Sequence, residues 1–575
     1  MISRNRGRLP LALAIAGIVA SFPGVATSAT ADAALSDALV TEKLYVLPAP
    51  DTSKMDTADG AKGKPFQYGV VIPQKIDALA RSLGTWEDLG KKDARWRWTV
   101  ASPGAQALEF QFSRLRLPKG AVLTLRGADD SAVRTITADD LANPYFRTAY
   151  VPGERVTLQL DVTQDARYFV EMALESVTHA YRLPFGQEGM AIRSASCNVD
   201  VACTSGNQTQ NQIASVGHYT FLDGGLSYVC TGTLMANTSM DGRPFFLTAN
   251  HCLEQEVVAD TVVVYWNYES ATCRVPGSAA SGTALGKIYA THTQSGATLR
   301  ATYGPTDFTL LELDTDAPRN ALPFFAGWDR SAGMPTSTYT IHHPNGDEKR
   351  ISRDYNAPAP SGYYLAANVG SSHIRVADWD SGTTEGGSSG APLFNPSGRV
   401  IGQLHGGNAA CGNNSPDWFG RLAESWIGGG NAGSRLRDWL DPINSNVLSM
   451  SGHHGGTKYQ NTTDTGIPDN NTPVDVTINV PAVGNAGNVG PNSSIRVRIQ
   501  HTYIGDLEVK LIAPDGDTYL LRNLAGGSSD NLHEIYLKNL SGSPKAGAWK
   551  LRVTDKSPGD SGWVDYFGLG GTGWN

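Results

Sequence analysis

Three residue types at three separated places could together cut an acyl bond. A serine stands in a glycine-rich stretch, Gly386-Gly387-Ser388-Ser389-Gly390-Ala391-Pro392. Such a turn presents one hydroxyl and lets a substrate carbonyl approach backbone N–H groups. A serine hydroxyl is a weak nucleophile until a neighbouring base takes its proton. A base is available at His251, in Thr248-Ala249-Asn250-His251-Cys252, at the end of the apolar run Phe245-Phe246-Leu247. An orienting acid is available at Asp307, at the head of the run Phe308 to Leu313. His251 would take the Ser389 proton and return it to the leaving amine, while Asp307 holds the imidazole tautomer. The N–H groups of Gly387 and Ser389 would form the oxyanion hole, where one donor is worth roughly 10²–10³ in rate. Singly, each has a plain explanation: a Gly/Ser loop, a core histidine, a turn aspartate. Jointly, in one cysteine-rich region, coincidence is a poor account.

The elements that must position these groups read as β-structure. At 575 residues the chain exceeds one core, so several domains of about 100–200 residues are expected. With 63 Gly and 31 Pro between short apolar runs, the expected class is all-β. The net charge of −8 and the lack of a basic tract argue against nucleic acid as a partner. Arg4, Arg6 and Arg8, the apolar run Leu11 to Ala20 and small residues at Thr27-Ser28-Ala29 or Ala31-Asp32-Ala33 read as a secretory signal over 1–33. The run is short for a membrane span, so no membrane association and a secreted protein are expected. All six cysteines lie between Cys197 and Cys411. An even count behind an export signal points to three disulfides, with fifteen pairings open. Without a Cys-x-x-Cys pair, zinc is not expected.

Residues 34–193 hold no cysteine and alternate like strands at Trp96–Val100, Ala107–Phe112, Ala121–Leu125, Val156–Leu160 and Tyr168–Met172. They form a module with a separate fate, and Arg193 is a candidate cleavage point. Residues 194–450 hold the cysteines and the three reactive residues on many short strands. Ala432 to Leu440 reads as a helix, with Ser434 a possible N-cap and Asp441-Pro442 its stop. Residues 451–472 are a polar linker, whose His453-His454 pair reads as exposed. Residues 473–575 alternate again at Val474–Val480, Ile495–Ile499, Leu507–Leu511 and Trp549–Val553, which predicts a small β-sandwich.

Thr-Ala-x-His-Cys, Asp-Phe-Thr-Leu-Leu-x-Leu and Gly-x-Ser-Gly-x-Pro resemble the three signatures of chymotrypsin-fold serine proteases. Within that group, residues 194–445 most resemble the bacterial lysyl endopeptidases of the Achromobacter protease I type. The resemblance is carried by Ser196-Cys197-Asn198-Val199-Asp200-Val201, the spacing of His251, Asp307 and Ser389, Leu404-His405-Gly406-Gly407, and Trp426-Ile427-Gly428-Gly429-Gly430 through Trp439-Leu440-Asp441-Pro442. It implies two six-stranded barrels with the site between them, and disulfides Cys197–Cys411, Cys203–Cys273 and Cys230–Cys252. It implies that Asp417, not the uncharged Thr383 where trypsin keeps its specificity acid, forms the base of a pocket for a substrate Lys. Self-maturation at Arg193 would require Arg to be accepted as well. It also puts His405 on the substrate side of the triad beside an aromatic ring, with Tyr364 a candidate. Ser388 stands where trypsin has the acid that captures a new N-terminus, so activation through that ion pair is not expected. Residues 34–193 resemble the propeptides of this family, which would chaperone folding or cover the cleft.

Residues 473–575 resemble the P (Homo B) domain of proprotein convertases, a jelly-roll sandwich. The carriers are His501-Thr502-Tyr503-Ile504-Gly505-Asp506-Leu507, Leu511-Ile512-Ala513-Pro514-Asp515-Gly516, Gly547-Ala548-Trp549-Lys550-Leu551, and Asp555 with Gly559-Asp560-Ser561-Gly562-Trp563. Asp506 and Asp560 are candidate Ca²⁺ ligands, with exposed turn carboxylates the plainer reading; no other cofactor is expected. The expected function is a secreted serine endopeptidase acting on proteins or peptides with a basic residue before the cut. The alternative class is an inactive protease fold that binds or adheres through its C-terminal sandwich.

Overall fold

The computed structural model describes residues 43–574, apart from 52, 54, 56–64, 80–82, 128–132, 183–193, 205–206, 240, 271, 278–291, 319–320, 322, 366–370, 455–456, 462, 470, 492 and 529–531. The expected signal segment and Arg193 lie outside the described residues.

Two sheets carry the three reactive residues. In the first, Val216–Asp223 pairs with Leu226–Met235, which pairs with Phe245–Ala249, then Phe308–Leu313 and Ala297–Tyr303. On its other edge Val216–Asp223 pairs with Val263–Tyr265, which pairs with Thr293–Ser295. Gly296, at φ +82°, turns Thr293–Ser295 into Ala297–Tyr303 and brings the sheet nearly round into a barrel. A Cβ there would meet Asp314 Oδ2 at 2.3 Å, so the bend needs glycine. The second sheet runs Arg350–Asp354, Thr338–His342, Pro392–Phe394, Val400–Gly407, Asp417–Arg421, His373–Val376 and Ala359–Ser361. The disulfides are Cys197–Cys411, Cys203–Cys273 and Cys230–Cys252.

Residues 43–182 are strand-rich as the alternation predicts, but they do not stand apart. Strand Phe66–Asp77 pairs antiparallel with Leu226–Met235 of the first barrel, Val70 opposite Leu226 and Phe66 opposite Val229. Trp96, Trp98, Phe110 and Phe112 share one buried cluster with Val229, Val263, Tyr265 and Tyr268 of the barrel. Apolar area that a separate module would leave in water is removed from it here. Tyr168 and Phe169 are an exception to the alternation: they sit in a 3₁₀ turn, Ala166–Phe169, and are exposed, and the strand starts at Glu171.

The helix expected over Ala432 to Leu440 is two short pieces, a 3₁₀ turn Ala432–Ser434 and an α-turn Arg437–Leu440. Arg435 between them is extended, and Asn431 rather than Ser434 caps the first piece. Gly433 in so short a stretch lowers helix propensity, and Leu436 is spent on the barrel core. The stretch expected to link the last two domains is itself paired: His453–His454 with Phe324–Phe325, and Thr457–Asn461 with Gly562–Gly570. The His453 ring is buried and stacks on Phe325 at 5.1 Å. The C-terminal region is a sandwich of a five-stranded and a four-stranded sheet around Trp549, Phe567 and Trp574.

Candidate active site

His251 and Asp307 adjoin strands of the barrel, and Ser389 stands in the turn before strand Pro392–Phe394 of the second sheet. His251 follows Phe245–Ala249 and is anchored by the neighbouring Cys252–Cys230 bond. Asp307 follows the turn Gly304–Thr306 in a left-handed conformation, φ 54° and ψ 36°, and is buried. That conformation is uncommon for a non-glycine residue, and a short polar side chain tolerates it best. Asp307 also fixes the histidine backbone: its Oδ1 accepts from His251 N at 2.9 Å and its carbonyl from Asn250 N at 2.9 Å. Gln403, on a strand of the second sheet, donates to the carbonyls of Thr306 and Asp307 and ties that sheet to the barrel at this point.

The glycine-rich stretch is held against both the barrel and the second sheet, where Gly390 N donates to Leu404 O at 2.8 Å. Thr231 N donates to Ser389 O at 2.9 Å and Thr231 Oγ1 to Gly387 O at 2.9 Å. Gly387 and Gly390 have φ of +84° and +83°. A Cβ on Gly390 would come within 2.3 Å of the Thr231 carbonyl, so a larger residue would push the loop away. Among the described residues neither the Gly387 nor the Ser389 N–H donates to a backbone carbonyl. Both therefore remain available to an anionic oxygen.

These supports bring the three predicted residues together. His251 Nδ1 lies 2.8 Å from Asp307 Oδ2, and His251 Nε2 lies 2.8 Å from Ser389 Oγ. Ser388, the residue before Ser389, bonds instead to His342 Nδ1 at 2.8 Å. The other nitrogen of His342 meets Ser352 Oγ, which donates to the Thr383 carbonyl. Hydroxyls and an imidazole thus brace the loop from behind, without a carboxylate at position 388.

His405 lies against the same carboxylate, its Nδ1 3.9 Å from Asp307 Oδ2, with its ring stacked on His251 at 5.5 Å between centroids. The aromatic partner is Tyr363, at 3.6 Å and 6° between planes, not the candidate Tyr364. Tyr364 has a left-handed backbone, φ 49°, and turns its ring to Trp418. His373, which the motifs did not signal, lies 2.9 Å from His405 through Nε2 and Nδ1. Burial pushes both imidazoles down to about 4, so both are neutral at pH 7. His251, Asp307 and His405 are the one group of three or more potential metal ligands among the described residues. Asp506 and Asp560 of the C-terminal sandwich lie outside any such group. Asp506 closes a 3₁₀ turn, and Asp560 accepts from Thr502 Oγ1 at 2.9 Å.

Asp417 opens strand Asp417–Arg421 and is wholly buried. Its Oδ2 accepts from Trp379 Nε1 at 2.8 Å and Thr384 Oγ1 at 2.6 Å. Thr384 begins the loop that carries Ser389, so Asp417 and Ser389 share a support. Opposite Asp417 stands Gly407, where a Cβ would meet Asp417 Oδ1 at 2.2 Å. Trp379 and Thr384 escaped sequence reasoning, although a buried carboxylate requires donors of this kind.

A nearly closed barrel sheet beside a second sheet, with His251, Asp307 and Ser389 meeting between them, is the arrangement of a chymotrypsin-like protease fold. Residues 192–420 match the family model of the lysyl endopeptidase C-terminal domain, and residues 492–570 that of the proprotein convertase P-domain. The chain is 27% identical over 377 residues to a lysyl endopeptidase of Pseudomonas aeruginosa, covering 61% of this chain and 77% of that protein. It is 40% identical over 110 residues to leupeptin-inactivating enzyme 1 of Streptomyces exfoliatus, covering 19% of this chain and 25% of that protein. Among solved structures it is similar to the protease Anisep of Arthrobacter nicotinovorans, at 18% identity and a TM-score of 0.26, over 39% of this chain and 93% of that one.

Proposed function

We propose that this chain is a secreted serine endopeptidase that hydrolyses peptide bonds after Lys, and after Arg at its own maturation site. The observation that carries the reading is the pair of 2.8 Å approaches joining Asp307, His251 and Ser389. In this reading Ser389 Oγ attacks the carbonyl carbon as His251 Nε2 takes its proton, and Asp307 stabilises the imidazolium. The Gly387 and Ser389 N–H groups receive the oxyanion. His251 then protonates the leaving amine, and water repeats the sequence to free the acyl group from Ser389. Asp417, desolvated and held by Trp379 and Thr384, offers its charge to a basic side chain, which water would otherwise solvate. Residues 34–193 serve as a propeptide, and the C-terminal sandwich as a stabilising or targeting module.

The test is a fluorophosphonate probe on secreted protein, followed by cleavage-site profiling on a peptide mixture. Labelling that disappears in Ser389→Ala, with cuts after Lys and Arg, is the expected result. A parent protein that never labels would return the fold to the class of binding proteins.

A further inference from the structure

Ser194, the first described residue after the candidate cleavage point, is buried, and its backbone nitrogen is aimed at a buried acid. Its N–H donates to Asp347 Oδ2 at 3.0 Å, and its hydroxyl donates to the same oxygen at 2.7 Å. The other oxygen, Asp347 Oδ1, is enclosed and makes no well-formed hydrogen bond among the described residues. Desolvation pushes the Asp347 carboxyl up, which marks a site short of positive charge. Asp200, Asp347 and Glu348 are almost wholly buried and share two guanidinium groups, Arg274 and Arg350. Asp347 is thus one of several buried carboxylates gathered around Arg274 and Arg350.

The neighbouring residue reaches the catalytic loop. Ala195 N donates to both oxygens of Glu385 at 3.1 Å, and Asn198 Nδ2 to Glu385 Oε2 at 3.2 Å. Glu385 directly precedes Gly386-Gly387, whose N–H at Gly387 is one proposed oxyanion donor. From the other side Asn345 N donates to the Gly386 carbonyl at 2.5 Å, and Asn345 is two residues from Asp347. Gly387 packs so closely on this segment that a Cβ would lie 3.0 Å from the His343 carbonyl.

We infer that Asp347 is the seat of an α-ammonium group at Ser194, created when the chain is cut after Arg193, and that this ion pair sets the oxyanion loop through Glu385 and Asn345. In the cut, water adds across the Arg193–Ser194 peptide bond. Its hydroxyl goes to the Arg193 carbonyl carbon, the C–N bond breaks, and the Ser194 nitrogen gains that water's proton and a second from solvent. The single N–H donor becomes three, one for each Asp347 oxygen and one to spare, and the group carries a positive charge. The acid that captures the new terminus thus sits on the loop between two strands of the second sheet, not beside the nucleophile, where Ser388 stands. Asp347 and Glu385 are positioning residues; neither touches the reacting atoms.

This inference rests on the proteolytic reading above. The experiment uses full-length secreted chain, with N-terminal sequencing of the matured product and steady-state kinetics on a small Lys ester. Maturation should leave Ser194 as the first residue; any other first residue overturns the seat. A glycine inserted between Arg193 and Ser194 leaves every side chain in place and moves the ammonium one residue away. It should lower kcat by about 10–100-fold with KM changed by less than about threefold, because it loosens one oxyanion donor and spares the Lys pocket. Asp347→Asn should do the same, and if it fails to fold the insertion still decides. An insertion variant that starts at the added glycine and keeps its full kcat refutes the seat while leaving the protease reading intact. Failure of the parent protein to label at Ser389 refutes the protease reading instead.

Discussion

Arg147 and Glu109 make the attachment of residues 43–182 to the first barrel measurable. Both are almost wholly buried and form an ion pair. Arg147 Nη1 also crosses to the barrel, donating to the Thr261 carbonyl at 2.9 Å and Thr220 Oγ1 at 3.3 Å. Tyr68 completes the group, donating to Glu109 Oε1 at 2.7 Å. Arg147→Met leaves Glu109 buried without its countercharge, at a cost of about 3–5 kcal/mol. Exchanging both, Arg147→Met with Glu109→Leu, removes the buried charges together, leaving mainly the lost hydrogen bonds of Tyr68 and Thr261 at about 1–2 kcal/mol. The assay is urea unfolding of the Ser389→Ala full-length chain, read by fluorescence of Trp96 and Trp98 in the shared core. The single variant should lower the midpoint of that transition by about 2 M, taking a slope of about 2 kcal/mol per molar. The double variant should recover more than half of the loss, and that recovery is the coupling between the two sites. A loss below about 1 kcal/mol in the single variant, or a double variant as weak as the single, would refute the claim that this pair fastens the module to the barrel.

Three further outcomes follow from particular groups. Asp417→Asn should lower kcat/KM on Lys substrates by about 10²–10³, since a buried charge partner is worth about 2–5 kcal/mol; unchanged cleavage after Lys would move the specificity pocket elsewhere. Burial and the charge of Asp260 raise the Asp314 carboxyl to about 6. Because the folded chain then holds a proton that the unfolded chain releases from about pH 4, stability falls as pH rises from about 4 to 6. Asp314→Asn should therefore stabilise at pH 7.5 by about 1–2 kcal/mol, discounted for its partial exposure, and by much less at pH 4.5; a pH-independent change in Tm would contradict this. His218 and His373 are buried and pushed down to about 3 and about 4, so the folded chain refuses protons that the unfolded chain takes up below about pH 6.5. Stability should fall as pH drops through that window, by about 2–3 kcal/mol per imidazole at pH 4.5 relative to pH 7, and His218→Phe should flatten the acid side of the Tm–pH curve.

The constellation was legible because His251 and Asp307 stand beside strands, where an apolar run meets a reactive residue, and Ser389 stands in a glycine-rich turn. Phe245-Phe246-Leu247 before His251 and the run after Asp307 announce the strands, and the glycines around Ser389 announce a loop that neighbouring backbone approaches. What was not legible depends on contacts between segments far apart in sequence. His373 meets His405 across 32 positions and Trp379 meets Asp417 across 38. A lone His on a strand or a lone Trp in a loop carries no local sign of its partner. Tyr363 and Tyr364 differ in role only because the second adopts a positive φ, which adjacent identical residues do not signal. The strand Phe66–Asp77 was not among the alternating runs read from the sequence, and nothing local signalled its pairing with Leu226–Met235.

These long-range contacts place the burden of precision on a small region behind Ser389. The first barrel contributes Thr231, whose N–H and hydroxyl hold the Ser389 and Gly387 carbonyls. The second sheet contributes His342, which holds Ser388, and Gln403, which reaches back to Asp307. The segment that begins at Ser194 contributes Ala195 and Asn198 on Glu385, and the Cys197–Cys411 bond ties that stretch to the loop leading into Asp417. Oxyanion geometry tolerates errors of well under an ångström before rate is lost. A loop rich in glycine cannot supply that rigidity itself, so it must be imposed by neighbours from at least three segments. Removing one brace should therefore cost kcat more than KM, and removing two that share Glu385 should cost less than the sum of each alone.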